Sequence, residues 1–317
     1  MAFELTELQA ITDYYVDKTP NDIYFKSNIL LYKLLGGEDA GTHLIPGGQE
    51  IKIILEYGKG NSGTFGATTK LPLNKKEIYQ AAFFPWAGYF AGITIDLDDQ
   101  RQNSGDLAIV NLVNGKLKNG QKSIRDDMGI GIYAARGTDP NAFTGTADLF
   151  NTVTSTAYGK IKEEDMAAWK ANVITAPVPI SFKVMQEIRR TASIDDNAEG
   201  KPNLYITTQT LKDGFERTLQ SQARYSDVRL VNAGFDNILF GGVPVVADNK
   251  QTAGYLDALN LRFLEIKTHQ DYNFTKPVWA SPIDQPDTKV CFIKWSGNLV
   301  CKNRAAHCRH TNLSEPT

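Results

Sequence analysis

The chain has 317 residues, 34 basic and 36 acidic side chains, and a formal charge of −2. Its 42% hydrophobic, 22% charged and 10% aromatic residues are a globular composition, which disfavours disorder, collagen and coiled coil as the main state. The length suits one large domain or two modest ones, and near-neutrality argues against a dedicated DNA-binding protein without excluding one that lies beside nucleic acid.

The opening residues Met1 to Glu7 carry no basic stretch followed by an apolar one, so no secretory signal is expected. Leu5, Leu8, Ile11 and Tyr15 share a helical face between Glu4 and Tyr15. Asn28 to Leu35 predicts a second helix, stopped by Gly36 and Gly37. Up to Ala40 seven carboxylates stand against three lysines, an acidic N-terminal arm. Two strands are expected next, at Glu50 to Tyr57, with Ile51, Ile53, Leu55 and Tyr57 on one face, and at Ile93 to Asp98. Gly58 to Lys70, with four glycines and small polar residues, leaves two readings side by side. It is either the tip of a long projecting hairpin, ordered only against a partner surface, or a surface loop without fixed structure. Ile78 to Ile95 is uncharged and near membrane-span length, but Gln80, Pro85, Gly88 and Gly92 interrupt it, so no membrane span is expected.

A long helix is predicted from Asp106 to about Ala135, capped by Ser104 to Asp106, roughly thirty residues and about 45 Å. Its apolar stripe runs through Ile109, Val113, Leu117, Ile124 and Met128, and Gly115, Gly120, Gly129 and Gly131 weaken it. Beyond a turn at Gly137 to Asn141 the chain reads as mixed α/β. Helices are expected at Lys162 to Trp169, Phe182 to Thr191 and Thr210 to Tyr225. Asn203 to Thr208 is a buried strand, and Ile238 to Asp248 is strand, turn, strand. Asp257 to Lys267 reads as one strand, Lys289 to Cys301 as a hairpin turning at Ser296 and Gly297, and the remainder as a short exposed tail.

Candidate chemistry is sparse. The four histidines, His43, His269, His307 and His310, sit in no hydrolase, zinc-protease or nucleotide motif. Gly58, Gly60 and Gly63 have the wrong spacing for a phosphate loop. Cys301, His307, Cys308 and His310 offer zinc-type donors, but C-x5-H-C-x-H matches no common site, and exposed polar residues are the preferred reading. Asp96, Asp98 and Asp99 read as a solvated strand end. The basic excess is mild, five to three from Ser104 to Arg136 and eight to six from Asp257 onward, too little to grip DNA. Three cysteines, an odd and low number, fit a reducing compartment. No cofactor, no metal and no catalytic residue are expected.

The order of elements carries more information than any motif. Lys201 to Thr208 with its following helix, Phe240-Gly241-Gly242-Val243-Pro244-Val245-Val246-Ala247-Asp248, and the closing strands from Tyr255 to Leu264 and Trp295 to Arg304 resemble the major capsid proteins of tailed bacteriophages, the Hong Kong 97-like fold. The resemblance implies an α+β chain with an N-terminal arm (1–49), an extended hairpin loop (50–98), a peripheral domain of spine helix and strands (99–136 and 257–317) and an axial domain (137–256). It implies no enzyme but a structural shell protein that assembles as pentamers and hexamers around packaged double-stranded DNA. DNA would be held by non-specific proximity, in a virion put together in the host bacterial cytoplasm. Tyr57, Lys59, Phe65, Lys70 and Lys75 would then meet a neighbouring subunit. With few residues before the hairpin, a separate scaffolding protein is expected, alongside a portal and decoration proteins. Lys59, Lys70, Lys75 and Lys76 are the hairpin lysines, but no acceptor asparagine or assisting acid matches, so no cross-link is expected. Two alternatives remain: an encapsulin-like nanocompartment on the same fold, and a soluble α+β enzyme, which the scarcity of histidines disfavours.

Overall fold

A computed structural model describes residues 28–36, 43–67, 70–71, 74–96, 106–195, 197–219, 237–275, 278–285 and 287–316, without the side chains of 106–112 and 237. The helix expected at Glu4 to Tyr15 lies outside these residues. The first described element is helix α1 (Ile29–Gly36), followed by strands β1 (His43–Ile45), β2 (Ile51–Glu56), β3 (Tyr79–Phe84) and β4 (Ala87–Asp96), then the long helix α2 (Asp106–Gly131). Helix α3 (Thr146–Leu149), β5 (Asn172–Ile174), β6 (Val178–Pro179), α4 (Phe182–Ala192), β7 (Leu204–Thr207), α5 (Gln209–Thr218), β8 (Asn237–Phe240) and β9 (Val243–Ala247) come next. The chain closes through β10 (Leu256–Leu259), β11 (Leu264–His269), β12 (Thr288–Cys301), β13 (Cys308–His310) and β14 (Leu313–Ser314).

Two larger sheets organise the chain. One has the order β1-β11-β12-β4, the other β5-β13-β10-β7-β9-β8, and β2 with β3 forms a separate two-stranded ribbon. Strict alternation builds the ribbon: Ile51, Ile53 and Leu55 are buried while Lys52, Ile54 and Glu56 face solvent, as a strand with one covered face requires. The expected partner of this strand is corrected. Ile93 to Asp96 belongs to β4, which pairs with β12 over ten residues, whereas β2 pairs with β3, Ile51 opposite Phe84. Pro85 and Trp86 separate β3 from β4, so the ribbon is shorter than 51–95 and its second strand feeds directly into the four-stranded sheet.

Helix α2 has 26 residues, about 39 Å, and stops at Gly131 rather than Ala135. The chain at Gly145 and Thr146 crosses its end, where Thr146 N donates to Ile132 O at 2.7 Å and occupies one of the carbonyls a helix terminus leaves open. Gly120, Gly129 and Gly131 permit close approach instead of breaking the helix. A Cβ on Gly120 would sit 3.1 Å from Ile93 Cδ1, and one on Gly131 would collide with the Tyr89 hydroxyl.

Strand β12 is the largest departure from expectation. Ser296 and Gly297 do not turn; they continue a 14-residue strand flanked by β4 and β11. Gly297 is there because a Cβ would meet the Lys267 carbonyl and the Trp295 ring, 2.6 Å away. Asp257 to Lys267 likewise divides. Its first part, β10, pairs with β7 and β13 in the six-stranded sheet, and only β11 joins β12. Asn260 ends β10, its amide held by the Glu199 and Lys201 carbonyls at 2.8 and 3.0 Å. Helix α5 ends at Thr218, short of Tyr225, and 220–236 lie outside the described residues. Lys162 to Trp169 is a turn leading into a single 3₁₀ turn, Ala167–Trp169.

The six-stranded sheet separates two cores. On one face Leu204, Ile206, Val246 and Leu259 join the cluster containing α1, the C-terminal half of α2, the ribbon and the four-stranded sheet. On the other, Tyr205, Val245, Leu256 and Ala258 pack beneath α4 and α5 with Met185, Ile188, Leu211 and Phe215. The alternation of Leu204, Tyr205 and Ile206 between the two clusters is the two-residue period of a strand buried on both faces.

Candidate functional site

Beyond the ladder of β2 and β3, Tyr57 N donates to Ile78 O at 2.9 Å, and after that the chain leaves the body. Among the described residues from 57 to 77 every side chain is exposed and only Gly58 is partly covered. Tyr57 (38% exposed), Phe65 (82%) and Leu71 (64%) are open to solvent, as are Lys59, Lys70 and Lys75. Ile54 and Tyr79 extend the open apolar surface along the ribbon. Asn61 Nδ2 donates to Asn74 O at 2.5 Å, tying the two sides of the arm together. A Cβ at Gly60 or Gly63 would meet nothing within 4 Å, so packing within the subunit does not demand glycine at either position. The structure thus places the five expected contact residues on one arm, and within one copy they have no core to enter.

The root of that arm is firmly held. Ala82 and Phe84 are wholly buried, Phe84 meets the Tyr158 ring edge-on at 5.2 Å, and Phe83 N donates to Gly159 O at 2.9 Å. Gly159 adopts φ +62, which suits glycine, and a Cβ there would press on Ala82 and Phe84 at 3.1 Å.

Along the spine helix the four described residues of the predicted stripe grade from half-buried to fully buried. The Ile109 side chain lies outside the described ones, Val113 and Leu117 are half-buried, and Ile124 and Met128 are fully buried. The helix therefore plants its C-terminal half in the core.

Where that half meets the six-stranded sheet lies a buried polar junction. Asp248, the last residue of the Phe240 to Asp248 motif, accepts from the Tyr133 hydroxyl at 2.9 Å, from Ile29 N at 3.2 Å and from Lys250 N at 2.9 Å. One carboxylate thereby joins α1, the end of α2 and β9. Burial raises its pKa, against the pull of those donors. Lys250 also forms an ion pair with Asp126 of α2.

The expected exposed tail is corrected. Arg304, His307, Arg309 and His310 are all at most 5% exposed. Arg304 donates to the Leu149, Asn151 and Trp169 carbonyls at 2.8 to 3.0 Å, pairs with Glu163 at 3.2 Å and lies over the Tyr158 ring. Arg309 grips Asp257 through two nitrogens, each at 2.6 Å, and reaches Thr146 Oγ1 at 2.8 Å. His307 Nδ1 accepts from Asn260 N at 3.1 Å, and burial pushes its pKa down to about 3, so the ring is neutral. Sequence reasoning missed these residues because polar character was taken as exposure; the one signal was Asp257 inside an otherwise apolar strand, which needs a buried cation. Cys291, Cys301 and Cys308 are buried thiols without disulfides. Among the described residues no three metal-binding side chains cluster, and no helix is long and apolar enough to cross a membrane.

No protein-family model and no curated protein sequence matches the chain. Solved structures do. A chain of the cyanophage A-1(L) capsid asymmetric unit superposes with TM-score 0.70 at 14% identity, over 98% of this chain and 99% of that one. The capsid of a native GTA particle gives 0.66 at 10% identity, over 98% of each chain. The SrpI encapsulin complex of Synechococcus elongatus PCC 7942 gives 0.63 at 10% identity, over 100% and 98%. With a fold matched end to end and a projecting arm, a planted spine helix and two sheets in this order, the chain has the Hong Kong 97-like fold.

Proposed function

We propose that the chain is a structural shell protein, the major capsid protein of a tailed phage, assembling as pentamers and hexamers into an icosahedral head around double-stranded DNA. The observation that carries the reading is the arm between Tyr57 and Glu77, where the described side chains are exposed, apolar ones included, and none enters a core, on a fold matched over essentially the whole length of capsid chains. Covering Phe65, Leu71 and Tyr79 on a neighbouring copy would contribute about 1.5–3 kcal/mol for each side chain fully buried. Repeated around every capsomer, contacts of that size hold a closed shell although each is weak alone. In this reading Tyr57, Lys59, Phe65, Lys70 and Lys75 contact the neighbour. The four-stranded sheet with α2 serves as the peripheral domain and the six-stranded sheet as the axial one, with β10 and β13 added to the latter. The scaffolding protein, portal and decoration proteins belong to the same proposal, as does the site of assembly in the host cytoplasm. The encapsulin match over the whole chain favours a second reading, a nanocompartment shell.

Light scattering behind size-exclusion chromatography tests the proposal: capsomers or particles are expected. A monomer that persists at high concentration, with or without crowding agents, would sink both shell readings. Particle composition separates them, since a phage head needs a portal vertex and encloses DNA.

A further inference from the structure

Helix α4 and the β8–β9 turn bound a cleft of about 380 Å³ that includes Gln186, Arg189, Arg190, Ser193, Lys201 and Gly241. Among the described residues no carboxylate lines it, and none of the three cations is within ion-pair distance of one. Glu199 pairs with Arg262 at 2.6 Å, and Asp195 accepts from Asn197 Nδ2 at 3.0 Å. Glu187 is exposed on α4, and its charge acts to raise the pKa values of Cys308 and His310.

The turn beside the cleft holds one of the cations, Arg189, in place. Gly241 and Gly242 take φ +59 and +82, a two-residue type I′ turn that only glycine-like backbones adopt easily. The Arg189 guanidinium lies directly on Gly241, where any Cβ would strike it. Arg189 and Arg190 occupy the last turn of α4, whose dipole of about half a charge leaves most of the three positive charges unbalanced. Behind the cleft the Tyr205 hydroxyl is buried and makes no hydrogen bond. Burial raises its pKa, and the Arg189 charge opposes that rise. At the rim Phe182 is 50% exposed, its ring edge-on to Phe240 at 5.2 Å.

We propose that this cleft binds the phosphodiester backbone of nucleic acid. Guanidinium forks match phosphate oxygens in pairs. A chain whose formal charge is −2 has no general attraction for polyanions, so three cations in one cleft with no ion-pair partner among the described residues are a local device. The open rim, with Arg190 exposed and Phe182 half-exposed, suits a continuous strand better than a single enclosed ion. Identifying the source as packaged nucleic acid rests on the shell reading; the phosphate affinity of the cleft does not.

The test measures binding of a fluorescently labelled DNA oligonucleotide to unassembled protein across a salt series, with assembly read separately by light scattering. For the wild type log K falls linearly with log salt. The R189Q/R190Q/K201Q variant should lose about 2–3 from that slope, near 0.9 for each phosphate contact removed, and R189K/R190K should keep most of it. Unchanged binding in the triple variant overturns the proposal. So does full displacement of the oligonucleotide by micromolar inorganic phosphate, which would make the cleft a free-phosphate site. Normal DNA binding with failed assembly would also overturn it, making the cleft a contact between copies.

Discussion

Replacing Arg309 with methionine isolates the buried junction of β10, β13 and α3. Arg309 is 5% exposed and Asp257 is 0% exposed, so the substitution strands a carboxylate inside the protein. Two charged hydrogen bonds at 2.6 Å and the contact with Thr146 are lost, together with cation–π packing on Phe150 and Tyr255 at 4.5 and 5.2 Å. Breaking one side of a buried pair costs about 3–5 kcal/mol. Gln251 Nε2 still donates to Asp257 at 2.7 Å, and methionine fills part of the volume, so the lower end, about 3 kcal/mol, is expected. Urea unfolding of unassembled protein, followed by tryptophan fluorescence, reads the loss as a lower midpoint. Adding D257N to R309M removes the stranded charge and should recover at least half of it. A loss below about 1 kcal/mol in the single variant, or no recovery in the double, would refute the claim that this pair is desolvated.

Gly297→Ala forces a methyl group against the Lys267 carbonyl and the Trp295 ring in a central strand, and should cost at least about 2 kcal/mol; Gly60→Ala, in open space, should stay within about 0.5 kcal/mol, both by the same urea series. His307, with its folded pKa near 3 below the unfolded value of about 6.5, makes the unfolded state take up the proton first. Stability from this group is therefore complete above about pH 6.5 and is lost at about 1.4 kcal/mol per pH unit as pH falls towards 3. His307→Asn, which keeps an acceptor for Asn260 N, should show a shallower decline between pH 6.5 and 4.5. Asp148 and Asp248, raised by burial, act in the opposite sense at the acid end but equally in both proteins. Identical pH profiles would mean that the ring is not held neutral.

Several elements were legible in the sequence: β2 by alternation, α4 as a helix over nearly its full span, and β8–β9 by a Gly-Gly turn. The spine helix was legible in kind and position, and its end falls where Gly145, 14 residues beyond Gly131, crosses it. Two failures share one cause, local chemistry overridden by distant packing. Ser296 and Gly297 have the composition of a turn, yet glycine is needed there for the closeness of Trp295 and β11. Arg304, His307 and Arg309 have the composition of a tail, yet each finds a buried partner from Leu149, Asn260 or Asp257. The arm was legible as an excursion, and Gly58 to Lys70 left open whether it has fixed structure. The cleft on α4 was not legible, because Arg189, Lys201 and Gly241 meet only in the folded chain.

Deleting residues 60–70 and closing the gap with a short linker tests the central claim most directly. The root, held by Ala82, Phe84, Tyr158 and Gly159, lies outside the deletion, so the fold should keep its circular dichroism and urea midpoint. Light scattering and electron microscopy should find particles or capsomers for the wild type and only subunits for the deletion. A deletion variant that assembles like the wild type would contradict the account.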